Sequence, residues 1–436
     1  MPILYFDNFR GFQSTFLSLK EVNFFIGENS TGKTSVLKLL TILSSPGFWY
    51  YQKFNNTEIS LGSFSEIISS DTNKEFFQLG IFSEEINDNN IAIKLKFIDE
   101  NNLPSLKEIR FRNDTIDLQA SIDGRFLKYR YAIIADEKFK GLTVEQYFKS
   151  WIDNNELDND LFYREEIQFT GIESILSTLQ TIITRRIENE KSTKLSSSLV
   201  KITKPQFLNP IAYTAPVRAE PRKTYDDFTL SFSSRGEHIP YVLSEILVTG
   251  GPVEDILKKF GYDSGLFEDV KINLLNSSSD KGMSIEILIG IGGRFVNIAN
   301  VGFGVSQILP ILIEIIARPK ETYFAIQQTE VHLHPRAQAA LGDFLFKSNN
   351  RDHQKFIIET HSDYTIDRFR LRVNREYREN SSATIGDISQ VVFFKRVGVN
   401  NTLDVIEIRS DGSYSEEQPK EFREFFIKEQ LDLLTI

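Results

Sequence analysis

Apolar and polar residues alternate through much of residues 58–135, in FFQLGIF, IAIKLKFI, EIRFR, TIDLQASI and LKYRYAII. A period of two marks half-buried strands, so this stretch predicts a run of antiparallel strands. Ahead of it, ILYF, FLSL and VNFFI read as short strands. The first two bracket the turn NFRGFQ, which holds Arg10 and Gly11, and the third feeds a glycine-framed loop. A helix is predicted over about 33–44, ending at the breaker cluster Ser44-Ser45-Pro46-Gly47.

The texture changes near residue 142. Residues 142–204 are polar, with apolar residues three and four apart in FTGIESILSTLQTIITRRI, which predicts helices that stand outside the sheet as a surface subdomain or a partner-docking arm. From 205 onward, buried strands alternate with helices. YFAIQQ and KFIIETHSD are the strands; VSQILPILIEIIA, PRAQAALGDFLFKS and YTIDRFRLRVNREYR are the helices. That alternation implies a largely parallel sheet. SIEILIGI and RFVNIA form a hairpin around Gly292-Gly293, VVFFKRV and LDVIEIR form another, and EFREFFIKEQLDLL is a last helix. The expected fold class is α/β, with an antiparallel β subdomain and a helical insertion. The expected divisions are an N-terminal lobe over 1–135, the insertion over 136–204 and a C-terminal lobe over 205–436.

Composition narrows the function classes. The chain has 436 residues, room for two or three domains or one large domain with insertions. There is no cysteine, so disulfides, thiolate zinc sites and cysteine nucleophiles are excluded. The net charge of −10 argues against a general coat for polyanions while leaving room for a local basic groove. No signal peptide and no apolar run of about 18 residues is found, so a cytoplasmic protein without a membrane partner is expected.

The chemistry starts at Gly27-Glu28-Asn29-Ser30-Thr31-Gly32-Lys33-Thr34, which has the spacing of a phosphate-binding loop between a strand and a helix. Gly27 and Gly32 let the backbone turn its N–H groups toward phosphate oxygens. Lys33 bridges the β- and γ-phosphates, and the Thr34 hydroxyl sits on Mg²⁺. The guanine-selective Asn-Lys-x-Asp is missing, which favours ATP over GTP. Further on, NVGFGVSQILPIL places Gly302, Gly304 and Ser306 at a helix start, where amides and a hydroxyl can reach a phosphate. By itself this is equally a glycine turn capping a helix. His332-Leu333-His334 lacks further ligands at a telling spacing, so a metal site there is not expected. The second buried strand ends in Thr360-His361-Ser362-Asp363, and strand carboxyl ends are where parallel sheets hold ligands.

In this order the motifs resemble ABC-type ATPases of the RecF/SMC/OLD kind, and more narrowly the AAA-family ATPase subunits of Septu-like and PARIS-like anti-phage systems. LYFDNFRGF and APVRAEPRKTY match as well. The resemblance covers about 1–135 and 205–436. It implies two heads that sandwich two ATP molecules, so the chain's partners would be a second copy of itself and a separate effector, a nuclease or toxin. It implies that Asn29, Ser30, Thr31, Lys33, Thr34 and Ser35 surround the nucleotide and that Arg10 lies beside it. Gly304 and Ser306 would contact the γ-phosphate from the opposite head, and His361 would sense it. Gln78 is a candidate for the glutamine of the Q-loop.

One stretch departs from the pattern. The resemblance calls for Ile-Glu-Gln-Pro-Glu or Ile-Glu-Glu-Pro-Glu before HLHP, but the chain reads Ile326-Gln327-Gln328-Thr329-Glu330. Gln327 stands where a carboxylate would steady Mg²⁺, and Gln328 where the general base would be. An amide takes no proton from water and offers Mg²⁺ only a neutral oxygen. Three readings stay open: a slow ATPase that uses ATP as a clamp, Glu330 acting as the acid, or an engineered Glu→Gln change at 327 that traps ATP. Arg368, Arg370, Arg372, Arg375 and Arg378 follow on one helix, with 368, 372 and 375 on one face, either a solvated surface or a contact for DNA phosphates. An ATP-bound scaffold and a RecF-like DNA loader are the alternatives to a regulator of an effector.

Overall fold

The computed structural model describes residues 2–70, 72–84, 90–134, 142–154, 161–189, 200–206, 210–226, 231–250, 252–276, 283–379 and 388–425. The chain divides into two units, one of residues 1–20, 30–210 and 395–403, the other of 21–29, 211–394 and 404–436. It opens with β1 (Ile3–Asp7), β2 (Thr15–Ser18), β3 (Val22–Gly27) and helix α1 (Lys33–Leu43). Of these, β3 belongs to the second unit and the others to the first.

The first unit continues with α2 (Pro46–Tyr51), α3 (Phe64–Ile67) and strands β4 (Phe76–Glu84), β5 (Asn90–Glu100), β6 (Leu103–Arg112), β7 (Ile116–Asp123) and β8 (Phe126–Ile133). Then come α4 (Val144–Asp153), β9 (Tyr163–Glu166) and α5 (Ile172–Asn189). The strands form one antiparallel sheet in the order β2-β1-β4-β5-β6-β7-β8-β9. The predicted alternation is the cause: Phe77, Leu79 and Ile81 pair with Phe97, Leu95 and Ile93, all on one buried face.

Both helices of the polar segment pack down. A Thr143/Gln146 capping box starts α4, whose Phe148, Trp151 and Ile152 bury against Ile3, Tyr5 and Phe82. The predicted three-and-four spacing gives α5 its buried stripe of Ile172, Ile175, Leu176, Leu179, Ile183 and Ile187. The expectation that the segment stays outside the sheet fails at β9, which pairs with β8. YREE carries too little apolar signal to read as a strand. It is held by Tyr163 stacking on Tyr129 and by Arg186, which donates to Glu165 and covers the Tyr163 ring.

The second unit adds β10 (Ala212–Thr214), α6 (Ile239–Thr249), α7 (Val253–Ser264), β11 (Asp269–Asn276), β12 (Met283–Ile291), β13 (Arg294–Asn297) and α8 (Phe303–Ala317). It ends with β14 (Tyr323–Gln327), α9 (Pro335–Asp352), β15 (Lys355–Glu359), α10 (Asp363–Glu379), β16 (Ser389–Val397), β17 (Asn400–Ile408) and α11 (Lys420–Phe425), except that residues 395–403, the end of β16 and the start of β17, belong to the first unit. The predicted last helix is described only as far as α11; its remainder lies outside the described residues. The hairpin forms around Gly292 and Gly293, both at positive φ, and Glu268 accepts from both their amides.

The main sheet runs β10-β14-β15-β3-β16-β17, with β10, β14, β15, β3 and β16 parallel as the strand–helix alternation predicted. One face of these strands, including Phe24, Ile26, Phe324, Ile326, Phe356 and Ile358, joins a buried core with α8, α9 and α10. The strand register brings Gly27, Gln327 and Glu359 to one edge, at the carboxyl ends of β3, β14 and β15. The expected mixed α/β fold with an antiparallel part and helices is the one observed. Among the described residues no helix is long and apolar enough to cross a membrane.

Candidate nucleotide site

The glycine loop is shaped by what a side chain would hit. Gly27 has φ 139°, and a Cβ there would lie 2.0 Å from the Phe394 carbonyl oxygen. Gly32, the N-cap of α1, has φ 95°, and a Cβ would lie 2.4 Å from the Phe12 ring. Neither position admits an L side chain without displacing its neighbour. Glu28, Asn29 and Ser30 are exposed, whereas Thr31 and Lys33 are buried. The first turn of α1 carries no acidic residue, which suits an anion at that helix end. Arg10 donates to the Ser35 hydroxyl at 3.0 Å and to the Leu61 carbonyl at 2.7 Å, so these two predicted residues meet. Asn401 fixes the Arg10 turn by donating to its carbonyl at 2.8 Å. No short motif marks that asparagine, which comes from the other end of the chain.

The edge formed by β14 and β15 is a network of side chains. Gln327 is buried at the end of β14, facing Glu359 in register. Its amide nitrogen donates to Glu359 Oε2 at 2.8 Å, and its amide oxygen accepts from the Tyr213 hydroxyl at 2.6 Å. Arg218, 1% exposed, donates to the carbonyls of Gln327 at 2.9 Å and Gln328 at 3.3 Å. Burial pushes the Arg218 pKa down to about 10, and the Glu330 charge pulls it back up. The half-buried Gln328 takes φ 45°, and its N–H donates to the Glu359 carbonyl. Tyr213, Arg218 and Glu359 are functional candidates that the sequence reading missed. The Arg inside APVRAEP and the Glu before THSD were the available signals.

Glu330 joins the two turns that follow these strands. Its carboxylate accepts from the Thr360 hydroxyl at 2.7 Å and from the His361 N–H at 2.8 Å. The carboxylate is thus engaged in holding the THS turn. At the start of α8, Gly302 and Phe303 are exposed, and a Cβ on Gly304 would come 3.0 Å from the His332 carbonyl oxygen. Phe303 lies against the His332 ring at 5.5 Å. Ser306 is turned inward: it is 4% exposed, and its hydroxyl donates to the Phe303 carbonyl at 2.9 Å. Gln78 lies within β4, opposite Asp7 and Lys96.

On α10, Arg372 grips the buried Asp343 with two hydrogen bonds of 2.6 and 2.7 Å, and Arg368 approaches the same carboxylate at 3.6 Å. Arg370 pairs with Asp367 and covers the Tyr414 ring at 3.6 Å. Arg375 and Arg378 are exposed. Among the described residues no three His, Cys, Asp or Glu side chains gather into a group able to hold a metal unaided. A nucleotide-bound Mg²⁺ does not need one, since it is held by one or two carboxylates together with phosphate oxygens. At the strand ends Glu359 supplies a carboxylate of the right kind, beside the Gln327 amide.

No curated protein matches the chain. Among solved structures it is similar to the Smc head domain with an extended coiled coil bound to the C-terminal domain of ScpA from Pyrococcus furiosus. That match is 10% identical, covers 100% of this chain and 99% of the other, and has a TM-score of 0.41. The recombination mediator protein RecF of the RecFOR pathway is similar in two structures. The form titled RecF-ATPrS is 11% identical, covering 92% and 97%, with TM-score 0.34. The form titled RecF-ATP is 12% identical, covering 92% and 96%, with TM-score 0.32. The family model described as AAA ATPase domain matches residues 4–366, a span that takes in the glycine loop, the start of α8 and both strand-end turns. By that match the chain belongs to the AAA ATPase domain family.

Proposed function

We propose that this chain binds ATP with Mg²⁺ at the loop Gly27–Thr34 and hydrolyses it slowly, as an ABC-type head that closes on a second copy around the nucleotide. The observation that carries this reading is the glycine frame itself: two positions where no Cβ fits, on a loop leaving the middle of a parallel sheet beside polar strand ends. Slow turnover follows from Gln328, an amide where the family resemblance places a base. The exposed Gly302 and Phe303 at the start of α8 suit a contact with the opposite head better than the inward Ser306 does. The motif order further supports a sensor or regulator of a separate effector, a nuclease or toxin, in anti-phage defence. Arg375 and Arg378 are the exposed arginines for DNA contact, because Arg372 is committed to Asp343.

A second reading is an ATP-held scaffold that hydrolyses nothing. It is favoured by Gln327, whose amide is engaged at both ends. Titration of ATP into the chain and into Lys33→Ala, with phosphate release and light scattering on the same samples, decides between them. Binding lost in Lys33→Ala, an ATP-dependent dimer and slow phosphate release support the ATPase. Binding and dimerisation without release, with or without DNA, leave the scaffold. No binding in the unmodified chain overturns both.

A further inference from the structure

Position 327 is where an acid is expected, and the chain has an amide there. The geometry points to Glu359 as the residue that carries the acid: we infer that its carboxylate, from the neighbouring strand, is the protein's anionic donor toward the Mg²⁺ of a bound nucleotide. This deepens the ATP-binding reading and rests on it.

Glu359 and Gln327 face each other in register, and Gln327 presents its N–H to Glu359 Oε2 at 2.8 Å. That orientation is enforced from the other side, because the Tyr213 hydroxyl at 2.6 Å occupies the amide oxygen. Gln327 therefore acts as an oriented donor that aims a carboxylate and is itself poorly placed to offer an oxygen. Of the two facing residues, this sequence places the carboxylate on β15 and the amide on β14. Because β15 lies between β14 and β3, the charge sits one strand, about 4.8 Å, nearer the strand that feeds the glycine loop. The strand end is also tied down there, since the Thr360 N–H donates to the Phe25 carbonyl two residues before Gly27. Glu330 is occupied with Thr360 and His361, and Arg218 fixes the main chain at 327 and 328.

The test compares ATP affinity by calorimetry in EDTA and in Mg²⁺, together with the spin-resonance signal of Mn²⁺ bound with ATP, for the unmodified chain, Glu359→Gln and the exchange Gln327→Glu/Glu359→Gln. The unmodified chain should bind ATP more tightly with Mg²⁺. Glu359→Gln keeps an oxygen for the Gln327 amide, and it should lose about 10- to 100-fold of that gain and alter the Mn²⁺ signal while still binding ATP in EDTA. The exchange variant restores one carboxylate and one amide across the same gap and should recover most of the gain. An unchanged Mg²⁺ gain in Glu359→Gln overturns the inference and leaves the ATP-binding reading intact. If that variant does not fold, an unchanged Mg²⁺ gain in a folded Glu359→Ala variant does the same. Failure of the unmodified chain to bind ATP in EDTA and in Mg²⁺ overturns the reading and the inference together.

Discussion

The glycine loop and the edge formed by β14 and β15 secure their positions by opposite means. The loop is set by main-chain shape: Gly27 and Gly32 are defined by what cannot be added to them. The strand edge is set by side chains from separate segments, with Tyr213, Arg218, Gln327 and Glu359 brought together over more than a hundred residues. A site of the first kind is written locally and tolerates almost no substitution. A site of the second kind is distributed, so one of its groups can change while its neighbours take up the role.

The largest effect is expected where the loop's shape is tested. Gly27→Ala meets both a left-handed φ and the Phe394 carbonyl, and should destabilise the fold by more than about 4 kcal/mol or prevent folding. Normal urea unfolding with normal ATP binding in that variant would remove one side of the contrast. Next comes Arg218→Met, which leaves two carbonyls without their donor and should cost about 3 kcal/mol by the same measurement. A loss below about 0.5 kcal/mol would mean that the guanidinium does not hold the edge. Glu330→Gln keeps the shape but weakens the acceptor for Thr360 and His361, for an expected loss of about 1.5 kcal/mol. Amide exchange at His361 should quicken with it, and an unaltered rate would detach Glu330 from the THS turn. The smallest change is Tyr213→Phe, about 1 kcal/mol. Its loss should be non-additive with Glu359→Gln, since both act on the Gln327 amide, and strict additivity would show that the network is not one unit.

How much could be read beforehand follows the same division. Period-two alternation over 76–133 was enough for the antiparallel strands, because apolar side chains fill one face of that sheet while the other, part of it under α4, is more polar. The glycine loop, the parallel strands and the hairpin at Gly292-Gly293 were legible because each is decided by neighbours in sequence. β9 was not, since its place depends on Tyr129 and Arg186. Arg372 read as one of five exposed arginines, and only tertiary packing brings Asp343 from α9 to meet it. Gln327 stands out in the sequence as a departure from the pattern. Glu359 carried a weak signal, a glutamate just before THSD, and only the strand register sets it opposite Gln327.

Arg218 has one more consequence. It binds residues 327 and 328 through their carbonyl oxygens, which every amino acid possesses. That hold is blind to the letters at 327 and 328. Acid and amide can be exchanged there without loosening the guanidinium's grip on the main chain, and at 327 it is the side-chain partners Tyr213 and Glu359 that register the difference. A single codon change at 327 or 328 would alter the chemistry presented at this edge while leaving its main-chain anchor in place.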